Sequence, residues 1–83
     1  MTDLKQDLAA AGKLVTVGAR YRHYKGGEYQ VLQLALLEAT TEPCVVYQAQ
    51  YGDRLSFIRP LTNWLQSVES DGRRIQRFTK LVQ

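Results

Sequence analysis

His23 is the sole histidine of the sequence, so acid–base chemistry at neutral pH would have to begin there. A catalytic arrangement would join it to Asp53 and a hydroxyl such as Ser56, the imidazole taking the hydroxyl proton and the carboxylate orienting the ring. Such a constellation is defined by geometry, and the spacing of these three residues carries no signature of it. A strand histidine with one local hydrogen bond is the simpler reading. Cys44 is the only cysteine. One thiol makes neither an intrachain disulfide nor a thiolate cluster. A metal site takes three or four ligands, and one His, one Cys and scattered carboxylates show no such spacing. Following Pro43 at the start of a strand, Cys44 reads as a small buried hydrophobe rather than a reactive thiol. Lys25-Gly26-Gly27 invites a phosphate-loop reading but lacks the Walker pattern and its helix, so a tight turn is preferred. No cofactor motif is present, and no metal or cofactor is expected.

Binding residues fall into two groups. Gly52-Asp53 reads as a two-residue hairpin turn, which pairs Tyr51 with Arg54, Ala49 with Ser56 and Tyr47 with Ile58. One face then carries Val45, Tyr47, Ala49 and Ile58 and looks like core. The other carries Val46, Gln48, Gln50, Leu55, Phe57 and Arg59. Phe57 beside Gln48, Gln50 and Arg59 makes a candidate contact patch, since amides and a guanidinium can orient a ligand stacked on the ring. The plainer alternative buries Phe57 under a helical turn near Trp64. A slip of one residue in the turn would exchange the faces of one strand. The second group is basic. Arg20, Arg22, Lys25, Arg73, Arg74, Arg77 and Lys80 are seven of the eleven Lys and Arg residues; the first three lie in the first strand or its turn and the other four in the last. If those strands are neighbours they form one basic edge, which either guards the sheet against strand addition or meets nucleic acid.

The elements that must position these residues are punctuated by glycine and proline. Residues 2–11 read as a helix, with Leu4, Leu8 and Ala11 at helical spacing, Thr2 or Asp3 as cap and Gly12 as the left-handed end. Leu14 to Val17 is short and β-prone. Strands are expected over Arg20 to Tyr24, Tyr29 to Glu38, Cys44 to Gln50 and Leu55 to Arg59, with turns at Gly26-Gly27, Thr40 to Pro43 and Gly52-Asp53. Pro60 ends the fourth strand, and Leu61 to Leu65 makes one helical turn. Asp71-Gly72 is a type I′ hairpin signal joining Gln66 to Ser70 with Arg73 to Leu81. Its register pairs Ser70 with Arg73, Glu69 with Arg74 and Val68 with Ile75, matching charges and apolar groups.

In a regular long strand Val31, Ala35 and Leu37 point one way and Leu32, Leu34 and Leu36 the other. Both faces would be apolar, and the second would need a cover, either the N-terminal helix through Leu4 and Leu8 or a second copy of the chain. The eight aromatics are mostly assigned to the core, and an aromatic cage for a methylated amine is disfavoured because three rings would have to converge.

The chain has 83 residues, 45% of them hydrophobic and 23% charged, with a net charge of +3 and a pI near 9.2. That composition is globular and permits an anionic partner without requiring one. Apolar runs stop at four residues, such as Leu34 to Leu37, where a membrane span takes about 20. The polar start has no signal-peptide core, so a cytoplasmic setting is expected. The fold class expected is mainly β: a small SH3-like half-open barrel of five to six antiparallel strands over residues 18–83. Residues 1–17 precede it as a helix and connector, and one helical turn comes before the last hairpin.

The stretch Tyr21-Arg22-His23-Tyr24-Lys25-Gly26-Gly27-Glu28-Tyr29 is distinctive, as are Val45-Val46-Tyr47-Gln48, Tyr51-Gly52-Asp53 and Arg59-Pro60-Leu61. With Val68, Gly72, Arg77 and Phe78 they resemble a family of short bacterial proteins catalogued as a domain of unknown function. The resemblance spans Gly18 to Phe78 and implies an SH3-like fold without implying any activity. Trp64 stands where that family usually shows a smaller aromatic. The functional expectation is a non-enzymatic interaction module whose partner is protein or nucleic acid, with no membrane partner, as a monomer or weak homodimer. The alternative is a small-ligand binder or enzyme with a pocket near His23, Asp53 and Arg59.

Overall fold

The computed structural model of the chain describes residues 3–82. Helix α1 spans Leu4–Leu14, and the carboxylate of Asp3 caps it by accepting from the backbone N–H groups of Lys5 and Gln6. It runs past Gly12, which lies inside the helix, and closes at Val15. The expected end at Gly12 and the β-prone segment at Leu14 are thereby corrected. Ala11 and Val15 are buried, and they hold the end of the helix on the sheet. Thr2, the alternative cap, lies outside the described residues.

The strands are β1 Arg20–His23, β2 Glu28–Leu36, β3 Pro43–Ala49, β4 Ser56–Pro60, β5 Ser67–Ser70, β6 Arg73–Gln76 and β7 Phe78–Lys80, with the one-turn helix α2 at Leu61–Trp64. Five form an antiparallel sheet in the order β4-β3-β2-β1-β7, and β5 pairs with β6 alone. The mainly β class, the N-terminal helix and the short helix before the last hairpin are as expected. So is the meeting of first and last strands, through Tyr21 with Lys80, Arg22 with Thr79 and His23 with Phe78. Among the described strands the sheet does not close, since β4 and β7 remain its two edges.

Three one-residue irregularities set which side chains share a face. The β5–β6 hairpin is regular: Asp71 and Gly72 both take positive φ, 53° and 75°, and the pairs are Ser70 with Arg73, Glu69 with Arg74 and Val68 with Ile75. The single strand expected after it is broken at Arg77. That residue's N–H donates to the Gln66 carbonyl, while its own carbonyl accepts from Tyr24 N. The chain thus leaves one sheet and joins the other there.

A second irregularity is a bulge between Val31 and Gln33. It puts Val31 opposite Tyr47 and Leu34 opposite Val45, on one face. The outer face then holds Gln30, Gln33 and Ala35. The second apolar face expected of a regular strand does not exist, because the bulge turns Leu34 and Leu36 inward. The helix does reach Leu34, but at Gly12, where an added Cβ would lie 3.9 Å from Leu34 Cδ1. Leu4 stays 38% exposed.

The third is the β3–β4 turn. Arg54 adopts φ 54° and absorbs one extra residue. Tyr47 therefore faces Phe57, Val46 faces Ile58 and Val45 faces Arg59. The two-residue turn is corrected, and with it the faces: Phe57 and Arg59 join the Val45–Tyr47 side, while Ile58 turns out to solvent at 68% exposure.

The core is Val15, Tyr21, Val31, Val45, Tyr47, Trp64 and Phe78. Trp64 stacks on Phe78 at 3.6 Å and meets Tyr47 and Tyr21 edge-on at 5.0 and 5.3 Å. Arg59 on one sheet edge lies 5.3 Å from the ring of Phe78 on the other. The sheet is curved enough to bring its edges together over α2.

Candidate functional site

On the concave side, where the two edges meet, is an open cleft of about 570 Å³ lined by side chains of β1, β2, β3, β4 and β7 and of the turns beside them. Its chemistry follows from strand alternation. Tyr21 and His23 of β1 face inward while Arg20 and Arg22 face out. His23 pairs with Phe78 across β1 and β7, and their rings meet at 4.9 Å. Tyr24 packs beside His23 at 4.6 Å. The turn that follows keeps Gly26 at φ 111°, and the His23 N–H donates to the Gly27 carbonyl at 2.8 Å. Gly27 is needed for space rather than for φ. A Cβ there would lie 3.0 Å from Tyr51 Cε1 and 3.3 Å from the Tyr29 hydroxyl.

Two guanidiniums stand in the cleft with neutral partners. Arg59 donates through Nε to the Tyr47 hydroxyl at 3.1 Å and through Nη1 to Asn63 Oδ1. Arg77 donates through Nε to the Asn63 carbonyl at 3.1 Å and through Nη2 to Gln66 Oε1 at 3.3 Å. Asn63, on α2, thus holds both arginines, one by its side chain and one by its backbone. No Asp or Glu lines the cleft, whereas Lys25 does. The one ion pair among the described residues lies elsewhere, Arg22 Nη2 to Glu28 Oε2 at 3.2 Å.

The field of these cations is felt by His23. Burial, then Arg59, Arg77 and Lys25, hold its pKa below the ordinary value. The imidazole is therefore neutral at pH 7, with Nδ1 accepting from Lys25 N at 3.2 Å. Tyr29 and Tyr51 share a hydrogen bond between their hydroxyls. That bond, with burial, pushes the Tyr29 phenol up to about 12. Burial and then the Glu42 charge raise the Cys44 thiol, which is consistent with an inert core cysteine.

The cleft gathers residues that the sequence had placed in separate groups. His23 and Arg59 meet there, as do Lys25 and Arg77 from the basic set. Asp53 does not line it, nor does Ser56, so the triad is not assembled. The patch of Phe57, Arg59, Gln48 and Gln50 is divided. Gln48 opposes Ser56 on the outer face, and its amide donates to the Arg54 carbonyl at 3.0 Å. Gln50 donates to the Gln48 carbonyl. Phe57, 42% exposed, packs on Tyr47 at 5.8 Å and Tyr29 at 6.5 Å; α2 does not bury it.

The single basic edge is likewise dispersed, because β1 is an interior strand. Arg22 is tied to Glu28, Arg74 faces Glu69 on the isolated hairpin with Arg73 beside it, and Lys80 donates to Thr16 Oγ1 at 3.0 Å. Tyr47 is in the core, as expected, and shows its hydroxyl to the cleft, whereas Tyr24, Tyr29 and Tyr51 line the cleft outside the buried core. The signal for them was five Tyr against two Phe, an excess of hydroxyls that a dry core cannot satisfy. Among the described residues no group of three or more His, Cys, Asp or Glu could hold a metal ion, and no helix is long and apolar enough to cross a membrane.

The class of protein is therefore a small, strongly curved antiparallel β domain with an aromatic, cationic cleft between its sheet edges. The chain belongs to the family described as protein of unknown function DUF1653, whose model matches residues 19–80 and so takes in the whole lining of the cleft. A crystal structure of a DUF1653 protein from Bordetella bronchiseptica is similar to it, with 33% identity and a TM-score of 0.71 over 77% of this chain and 85% of that one. A search of curated proteins finds no match.

Proposed function

We propose that this protein is a non-enzymatic recognition module whose cleft takes an anionic group, with Arg59 and Arg77 as the primary contacts and Lys25 at the side. The observation that carries this is the shared anchoring of both guanidiniums on Asn63 by neutral acceptors in a cleft without a carboxylate. Two half-buried cations held side by side repel each other and lose hydration, and an anion relieves both costs. Arginine suits this role because its remaining N–H groups form a planar fork for phosphate or carboxylate oxygens. The volume is in the range of about 300–1,000 Å³ common to small-molecule sites. Recognition is favoured over catalysis because a neutral His23 has no carboxylate partner in the cleft, which leaves general acid–base work without its usual pair. An SH3-like scaffold and a cytoplasmic setting complete the proposal. Support for the former is the curvature that brings β4 and β7 together.

The test is stabilisation by inorganic sulfate and phosphate at constant ionic strength. A ligand bound only by the native state raises the melting temperature. The wild type should gain stability with each anion, and Arg59→Gln and Arg77→Gln should lose that gain. Equal response to sulfate in all three proteins would refute the reading.

A further inference from the structure

We infer that the anion is one phosphate of a single-stranded nucleic acid, whose chain continues out of the cleft past Tyr51. This rests on the anion-binding reading above and extends it. The central cleft is not isolated. Through Tyr51 and Gly27 it adjoins a cleft that contains Arg20, so that Arg20, Tyr51 and the Arg59–Arg77 pair line neighbouring surfaces beside the β1–β2 turn.

The shared aromatic is positioned but uncovered. Tyr51 is 52% exposed, yet its hydroxyl is tied to Tyr29 and its ring sits over the gap that Gly27 leaves. Tyr24 leans on His23, with the Lys25 ammonium 5.8 Å from its centroid. A half-exposed ring costs apolar exposure, and a fixed one offers a flat face at little entropic cost. A bare anion needs no such faces. An acidic peptide would match the cations but leave the rings without partners. A single strand matches both, since its phosphates track the cations and its bases stack on the rings. Glu28 also lies in the Arg20 cleft, where its carboxylate is paired with Arg22.

The inference is tested by fluorescence anisotropy with a labelled six-nucleotide oligouridine, competed by UMP, by the matching duplex, by oligothymidine and by oligoglutamate of the same length. The oligouridine should bind roughly tenfold or more tightly than UMP and weaken by roughly tenfold between 50 and 200 mM salt. Oligothymidine should compete comparably, while the duplex and oligoglutamate should compete poorly. Tyr51→Ser should lower oligouridine affinity severalfold or more, and Tyr51→Phe, which keeps the ring, should restore it. Arg20→Gln should weaken the oligouridine more than UMP.

UMP and oligouridine binding alike would overturn the inference while leaving the anion site standing. So would oligoglutamate or duplex competing as well as the single strand. Failure of sulfate, phosphate, UMP and oligouridine together would remove the anion site and the inference at once.

Discussion

Trp64 and Phe78 lie face to face, ring centroids 3.6 Å apart and planes 4° from parallel. Trp64 comes from the single turn of α2 and Phe78 from the edge strand β7, so the stack fixes α2 against one edge of the sheet. Asn63, the residue before Trp64, is placed by the same contact, and with it Arg59 and Arg77. The core therefore sets the geometry of the cleft.

Phe78→Ala should cost about 3–5 kcal/mol, the usual range for a buried aromatic, and should shift Trp64 emission towards that of a solvated indole. Phe57→Ala should cost only about 1–2 kcal/mol, because its ring is 42% exposed and loses partial burial. Chemical denaturation of both variants checks the contrast. A Phe57→Ala loss as large as that of Phe78→Ala would mean that the ring is enclosed.

Gly27→Ala should displace Tyr51, since the new methyl would meet its ring at 3.0 Å. The hydroxyl bond to Tyr29 would break, and the Tyr29 phenol would fall from about 12 towards an ordinary tyrosine. Absorbance titration of the phenolates reads this directly. A high-titrating tyrosine that persists in Gly27→Ala would show that the turn yields instead.

Ala11→Asp should destabilise by about 3 kcal/mol or more, because it buries a carboxylate without a partner where Ala11 is 1% exposed. Leu4→Ala should be nearly neutral, as that end of α1 is solvated. Melting temperatures of the two variants settle whether α1 is held by its C-terminal half. Deleting residues 1–12 should lower the melting temperature for the same reason.

The pH dependence follows from His23. Its folded pKa lies below the ordinary 6.5, so the unfolded chain binds the proton more readily. Stability is full above 6.5 and is lost as pH falls from there through the lowered folded value. The charges facing the ring are Arg59 from β4, Arg77 from the β6–β7 bend and Lys25 from the turn. A bound anion offsets all three and raises the imidazole pKa. Sulfate, which does not titrate in this range, should therefore bind more tightly as pH falls below about 6.5. His23→Gln should flatten both profiles. An unchanged sulfate affinity between pH 7.5 and 5.5 would remove His23 from the site.

What the sequence determined by itself was local. Asp71-Gly72 carries the positive φ pair of its own turn, so the β5–β6 register could be read residue by residue. Asp3 supplies the cap that starts α1, and Pro60 marks the end of β4. Each depends on neighbours a few positions away, where backbone preference alone is decisive. The bulge at Val31/Gln33, the extra residue taken up at Arg54 and the break at Arg77 were decided only in the tertiary structure. A slip of one residue changes local energy little, yet it reverses every face beyond it. Arg59 is in the cleft, and Gln48 is not, because Arg54 turned one strand over. Arg59 and Arg77 became one site because the sheet curved until both reached Asn63, a contact that exists only when the β4 edge, α2 and the bend before β7 pack together.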